Sequence, residues 1–109
     1  MITWDDFEKI DIRAGTIISA DEFPKAKKPA YKLQIDFGES GMKSSSAQIT
    51  TLYERDELIG KQVIAVINFP PRKIADFSSE CLVLGIYSTE GVILLQPERK
   101  VPNGCKIGW

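Results

Sequence analysis

Two short apolar runs and the proline pair between them constrain this chain most. Val63, Ile64, Ala65, Val66 and Ile67 form one continuous run, and Cys81, Leu82, Val83 and Leu84 form another. Runs of four or five residues rich in β-branched side chains are too short for a comfortable helix and read as buried strands. Between them Pro70 and Pro71 cannot donate to a ladder, so the sheet must be interrupted there. Arg72 and Lys73 follow directly, and the block predicts a binding loop held on a small β-barrel.

The rest of the chain agrees with a strand-rich reading. Tyr31, Leu33, Ile35 and Phe37 alternate with Lys32, Gln34 and Asp36, the signature of a half-buried strand. Residues 13–20 also alternate, and the lone Gly15 predicts a bulge or sharp bend. Strands are expected over residues 42–49, polar at Ser44, Ser45 and Ser46, and over residues 91–96. Thr3 is positioned to cap a short helix over residues 4–9 that Phe7 and Ile10 would fix to the core or to a partner. Thr51 with Glu54 resembles a capping box for a helix ending near residues 58–60. Residues 21–30, with two prolines and three lysines, read as an exposed loop. Pro102, Asn103 and Gly104 predict a turn that brings the tail back onto the body. With no repeat or linker, residues 1–109 form a single domain, an all-β barrel or sandwich with helical accessories.

The chemistry available is narrow. The chain has no histidine, so triads and histidine-ligated zinc sites cannot be built within it. Its two cysteines lie far apart, no phosphate-loop or dinucleotide fingerprint is present, and adjacent carboxylates such as Asp5 with Asp6 or Asp56 with Glu57 read as solvated surface. No catalytic residue, metal or cofactor is expected. The acidic start and the absence of a long apolar run point to a cytoplasmic protein with reduced thiols and no membrane insertion. Cys81 is expected in the core and Cys105 at the surface.

Cations, hydroxyls and amides at strand ends are what remains. Lys and Arg number 14 against 15 Asp and Glu, so any contact with phosphate must come from a local patch. Arg72 and Lys73 suit phosphates, one as a planar fork and the other as a point charge. Ser44, Ser45, Ser46, Gln48, Asn68, Ser78 and Ser79 can hydrogen-bond sugars or base edges. The plainer reading is that Arg72 and Lys73 cap an exposed hairpin while the serines keep a sheet face soluble. Lys25, Lys27, Lys28 and Lys32 form the most basic window, which either steers an anionic partner or is an ordinary solvated loop. Phe69 and Phe77 border the predicted loop and are candidates for stacking on unpaired bases.

Five separated segments, DIRAGTI at residues 11–17, KLQIDFG at 32–38, SSAQIT at 45–50, NFPPRKIADFSSECLVLG at 68–85 and VILLQPERKVPNGCKIG at 92–108, together resemble the tRNA-binding OB-fold family. That family includes appended domains of methionyl-tRNA synthetases and EMAP II-like proteins, and the match is closest to its small CsaA branch. The resemblance implies a five-stranded OB-fold barrel with short helices and terminal extensions, and a homodimer. It implies tRNA contact through an N-x-x-P-R-K segment, here Asn68 with Pro71, Arg72 and Lys73, with Arg13 matching the arginine of the family's D-I-R segment and Ser45, Ser46, Ser78 and Ser79 in the corresponding surface regions. Glu80 stands where the wider family often has glycine, and an acid there should weaken phosphate binding.

CsaA-like proteins are also associated with export, as chaperones that hold unfolded preproteins and engage the translocation machinery. The alternative to an RNA binder is therefore a peptide groove walled by Phe69, Pro70, Pro71, Ile74 and Phe77. Trp4, Phe7, Ile107 and Trp109 are the terminal apolar residues that a dimer would cover.

Overall fold

The computed structural model describes residues 1–108. Five antiparallel strands form a nearly closed barrel in the order β3, β2, β1, β4, β7. They are β1 (Ile12–Glu22), β2 (Tyr31–Asp36), β3 (Met42–Ala47), β4 (Gln62–Val66) and β7 (Leu82–Val83). Two hairpins stand beside this sheet, β5 (Arg72–Ile74) with β6 (Phe77–Ser79) and β8 (Gly85–Ser88) with β9 (Gly91–Leu94). The helices are short, α1 (Trp4–Glu8) and α2 (Arg55–Leu58). The all-β OB-fold expectation holds.

Strand β1 makes the barrel possible because it is long enough to serve two neighbours. Residues 12–16 pair with β4 and residues 16–22 with β2. Between Ile17 and Ser19 the register with β2 shifts, leaving Ile18 as an extra residue. A bulge of this kind bends and twists a strand, which lets one strand belong to both halves of a barrel.

The bulge does not fall at Gly15, where the sequence predicted it. A Cβ on Gly15 would lie 2.7 Å from two ring atoms of Phe37 and 2.8 Å from Cγ2 of Ile35. This glycine permits the Phe37 ring to lie against the backbone, a packing requirement that leaves no trace in local alternation.

Ile17, Leu33, Ile35, Phe37 and Val63 are fully buried inside the barrel, joined by Leu58 from α2. The period-2 pattern of β2 puts Tyr31, Leu33 and Ile35 inward and leaves Gln34 exposed. Helix α2 starts three residues later than Thr51 implied: Glu54 is its N-cap, and its backbone N–H donates to Glu57 Oε1 at 2.7 Å. Helix α1 has the expected Thr3 cap, whose hydroxyl accepts from the Asp6 amide at 3.2 Å. It buries no residue, and Phe7 and Ile10 do not anchor it in the core.

The tail returns as expected. Ala14 donates to Cys105 O at 3.0 Å, Gly104 donates to Ala14 O at 2.8 Å, and Ile107 donates to Ile12 O at 2.8 Å. It occupies the flank of β1 that β2 leaves free. Gln62 fastens the tail, its amide donating to Val101 O at 2.7 Å and accepting from Val101 N at 3.0 Å.

Side chains, rather than a continuous backbone ladder, close the barrel between β3 and the segment after β6. The Ser44 hydroxyl lies 2.6 Å from Ser78 O and 2.9 Å from Glu80 Oε1, sharing one proton between two acceptors. The Ser44 amide also donates to Glu80 Oε1 at 2.9 Å, and Glu80 N donates to Ser44 O at 2.8 Å. Ser45 donates to Cys81 O at 3.1 Å and Ser46 N donates to Ser79 Oγ at 3.1 Å. These serines form a polar seam that satisfies backbone groups at a sheet edge.

Candidate functional site

One large groove, about 1300 Å³ in volume, opens beside this seam. Its cationic side is assembled from two segments far apart in sequence. Lys25, Lys27 and Lys28 come from the loop between β1 and β2, and Arg72 and Lys73 come from the β5–β6 hairpin. Five cations thus face a space in which Glu80 is, among the described residues, the one lining carboxylate.

The loop is held against the hairpin at two points. Lys25 Nζ lies 2.9 Å from Asp76 Oδ2, and the ring of Phe23 meets that of Phe77 edge-on, with centroids 5.3 Å apart. Lys32 lies over both rings, its ammonium 5.6 Å from the Phe23 centroid and 5.9 Å from the Phe77 centroid. Phe23 is buried, so the loop is exposed at its lysines and anchored at its base. Hydrogen bonding to Lys25 lowers the pKa of Asp76.

Of the residues proposed for nucleic acid, Ser46, Gln48, Arg72, Lys73 and Ser79 line this groove. Arg72 and Lys73 are exposed and pair in register with Ser79 and Ser78. The plainer expectation of an exposed hairpin is therefore also met, and it is what presents the two cations. Ser45 is only 1% exposed, with its hydroxyl inside the seam. Ser78 is exposed but does not line the groove, and its carbonyl receives the Ser44 hydroxyl.

Asn68 and Arg13 lie away from the groove lining. The Asn68 side chain accepts from Asp11 N at 2.9 Å and donates to Lys9 O at 2.7 Å, pinning the chain after α1 to the end of β4. Arg13 donates to Asp11 Oδ1 at 2.7 Å and to Gly104 O at 3.1 Å. Its guanidinium joins the start of β1 to the returning tail beside a second, smaller pocket.

The peptide candidates divide similarly. Phe69, Pro70 and Ile74 line the groove, and Phe69 is 54% exposed. Pro71 is exposed outside the lining, and Phe77 packs on Phe23 beneath the lysine loop. Leu82, Val83 and Val92 extend the apolar wall.

Sequence reasoning missed Tyr87, which is 93% exposed at the groove's edge. The short alternation around Gly85 and Gly91 was the available signal for the hairpin that carries it. In sequence Glu80 shows only as an unfavourable charge; its hydrogen bonds to Ser44 lower its pKa against the opposing effect of desolvation, and Lys43 adds to the lowering. Burial instead pushes the Cys81 thiol up to about 11, in keeping with a packing role. Cys105 is exposed, and both thiols are free. Among the described residues no cluster of three metal-ligating side chains occurs, and no helix is long and apolar enough to cross a membrane.

Comparison with known proteins agrees with this architecture. The family described as "Putative tRNA binding domain" matches residues 12–106. A methionine–tRNA ligase from Methanococcoides burtonii is 43% identical over 107 residues, covering 96% of this chain but 16% of the ligase. The chain thus spans about a sixth of that relative's length. Crystal structures described as chaperone CsaA from Bacillus anthracis and CsaA chaperone protein from Picrophilus torridus superpose with TM-scores of 0.93 and 0.94. They are 52% and 55% identical to this chain, with 99% of it covered in both cases and 99% and 100% of the respective structures. The chain belongs to the tRNA-binding domain family.

Proposed function

We propose that this protein is a non-catalytic binder of structured RNA of tRNA type, acting in the cytoplasm through the groove between the lysine loop and the β5–β6 hairpin. The observation that carries the reading is the convergence of Lys25, Lys27, Lys28, Arg72 and Lys73 on one face of a chain whose net charge is -1. Such a patch attracts a polyanion locally, whereas the whole-molecule field does not. Ser46, Gln48 and Ser79 supply hydrogen bonds to sugar or base edges, and Phe69 and Tyr87 supply faces for stacking.

A homodimer would join two such grooves and raise the apparent affinity by linked binding. Exposed Ile2 and Ile10 near α1, and Ile86 with Ile93 on the β8–β9 hairpin, support a second copy. Ile107 is half-buried; Trp109 lies outside the described residues.

Replacing Arg72 and Lys73 together by Glu should cut tRNA affinity by at least tenfold at low salt while thermal unfolding stays nearly unchanged. Unaltered affinity in the folded double variant would remove the hairpin from the site.

A second reading is supported by the apolar wall of the same groove. Phe69, Pro70, Ile74 and Leu82 would accept an extended apolar peptide, and the similar CsaA structures are described as chaperones. In that reading the ligands are unfolded preproteins delivered to the translocation machinery. Phe69→Ala should weaken peptide holding more than tRNA binding, and equal losses would deny the two ligands separate footholds.

A further inference from the structure

Glu80 is the anomaly of the groove. A site that served only to attract phosphates would be better without a carboxylate, yet this one is built into the barrel's closing seam. Both Ser44 contacts, at 2.9 Å from the amide and 2.9 Å from the hydroxyl, fall on Oε1. No hydrogen bond among the described residues falls on Oε2. The residue is exposed and lines the groove between Ser79 and Leu82, with Ser46 across the seam. Its charge is retained at neutral pH, because the donors that orient it also stabilise its ionised form.

A carboxylate oxygen with one partner side fixed and the other open is an oriented acceptor. Ionised Glu offers no donor, so it favours groups carrying N–H and disfavours phosphate and carbonyl oxygens. Around it the cations hold the backbone, and Tyr87 and Phe69 offer ring faces. We infer that Glu80 reads unpaired bases in this groove, accepting from the exocyclic amino group of cytosine and discriminating against uracil, which presents a carbonyl at the same position. The pairing of Glu with the cytosine N4 amine is a general feature of base recognition. Ser44 acts as the positioning residue, and the five cations supply the sequence-independent part of the affinity.

This inference rests on the RNA-binding reading and is tested separately from it. Labelled oligocytidine and oligouridine of equal length, titrated by fluorescence anisotropy at neutral pH and fixed salt, isolate the amine because the two pyrimidines are similar in size. The expected preference for oligocytidine is on the order of tenfold, the scale of one hydrogen bond to a charged group. Glu80→Gln preserves an acceptor for Ser44 and turns a donor toward the groove. It should abolish or reverse the preference while tRNA affinity stays level or rises. Ser44→Ala keeps the charge but loses the hydroxyl anchor, and should blunt the preference without reversing it.

Equal binding of the two oligomers by the unmodified protein, with tRNA still bound in a salt-sensitive way, would overturn the base-reading role alone. So would an unchanged ratio in folded Glu80→Gln. No binding of tRNA or of either oligomer would overturn the RNA reading as well. Loss of a lysine-bearing peptide in Glu80→Gln, with the oligomer ratio unmoved, would assign the carboxylate to a peptide instead.

Discussion

Lys25 and Asp76 lie 51 positions apart in sequence and meet at 2.9 Å, joining the lysine loop to the tip of the β5–β6 hairpin. Both side chains are about two-thirds exposed, at 65% and 69%, so the pair is a poor source of stability. Its consequence is geometric: it holds one groove cation beside the hairpin that carries two others. Asp76→Asn should free Lys25 for a ligand and remove a nearby acid. The expected result is tighter tRNA binding at low salt with no measurable change in thermal unfolding; weaker binding would show that the ion pair orders the groove.

Gly15 should tolerate no side chain. Its would-be Cβ is 2.7 Å from Phe37 ring atoms, and both Phe37 and Ile35 are fully buried. Gly15→Ala should cost about 1–3 kcal/mol by overpacking, measured as a lowered urea midpoint.

Gln62 is the tail's principal polar fastening. Gln62→Leu keeps the approximate volume but strands the Val101 amide and carbonyl that the side chain now satisfies. The loss should be about 1–3 kcal/mol. Hydrogen exchange should also quicken in the returning segment at Gly104 and Ile107, whose amides bond to β1.

Glu80 links stability to acid. Its pKa is lowered in the folded protein, so its stabilising contribution is fully present above the unfolded value of about 4.3 and is lost as pH falls through the lower folded value. Urea unfolding followed from pH 6 downward should show stability declining in that window. Glu80→Gln should flatten part of the decline. An identical pH profile in the variant would mean that the Ser44 contacts do not differ in strength between the two protonation states.

The dimer is tested by light scattering at micromolar concentration, where twice the 12.2 kDa chain mass is expected. Ile2→Asp with Ile10→Asp should shift the population toward monomer if the face near α1 is buried between copies. A monomer in the unmodified protein would contradict the proposal.

Local patterns were legible wherever a single element determined them. The alternation of β2, the Thr3 cap and the contrasting placement of Cys81 and Cys105 could be read from neighbouring residues. The helix start at Glu54 was displaced because two overlapping capping patterns share that glutamate, and the one ending at Glu57 prevailed. Ser44 and Ser45 carried the right polarity but a different use, since their hydroxyls bond the carbonyls of Ser78 and Cys81, more than thirty residues away along the chain. The amide of Asn68 is visible in sequence, but its partners on either side of Ile10 are likewise a product of tertiary closure. The lysine window and the proline-bordered cations were both visible in sequence. Their meeting in one groove depends on the Phe23–Phe77 contact and the Lys25–Asp76 pair, which no local period encodes.

The most direct test of the account is the salt dependence of tRNA binding, followed by anisotropy of labelled tRNA between low and physiological ionic strength. Each phosphate engaged should add roughly 0.7 to 0.9 to the slope of log affinity against log salt. A steep slope is expected, made shallower by Arg72→Glu with Lys73→Glu. Absent or salt-insensitive tRNA binding would contradict it and leave the apolar wall of the groove as the functional surface.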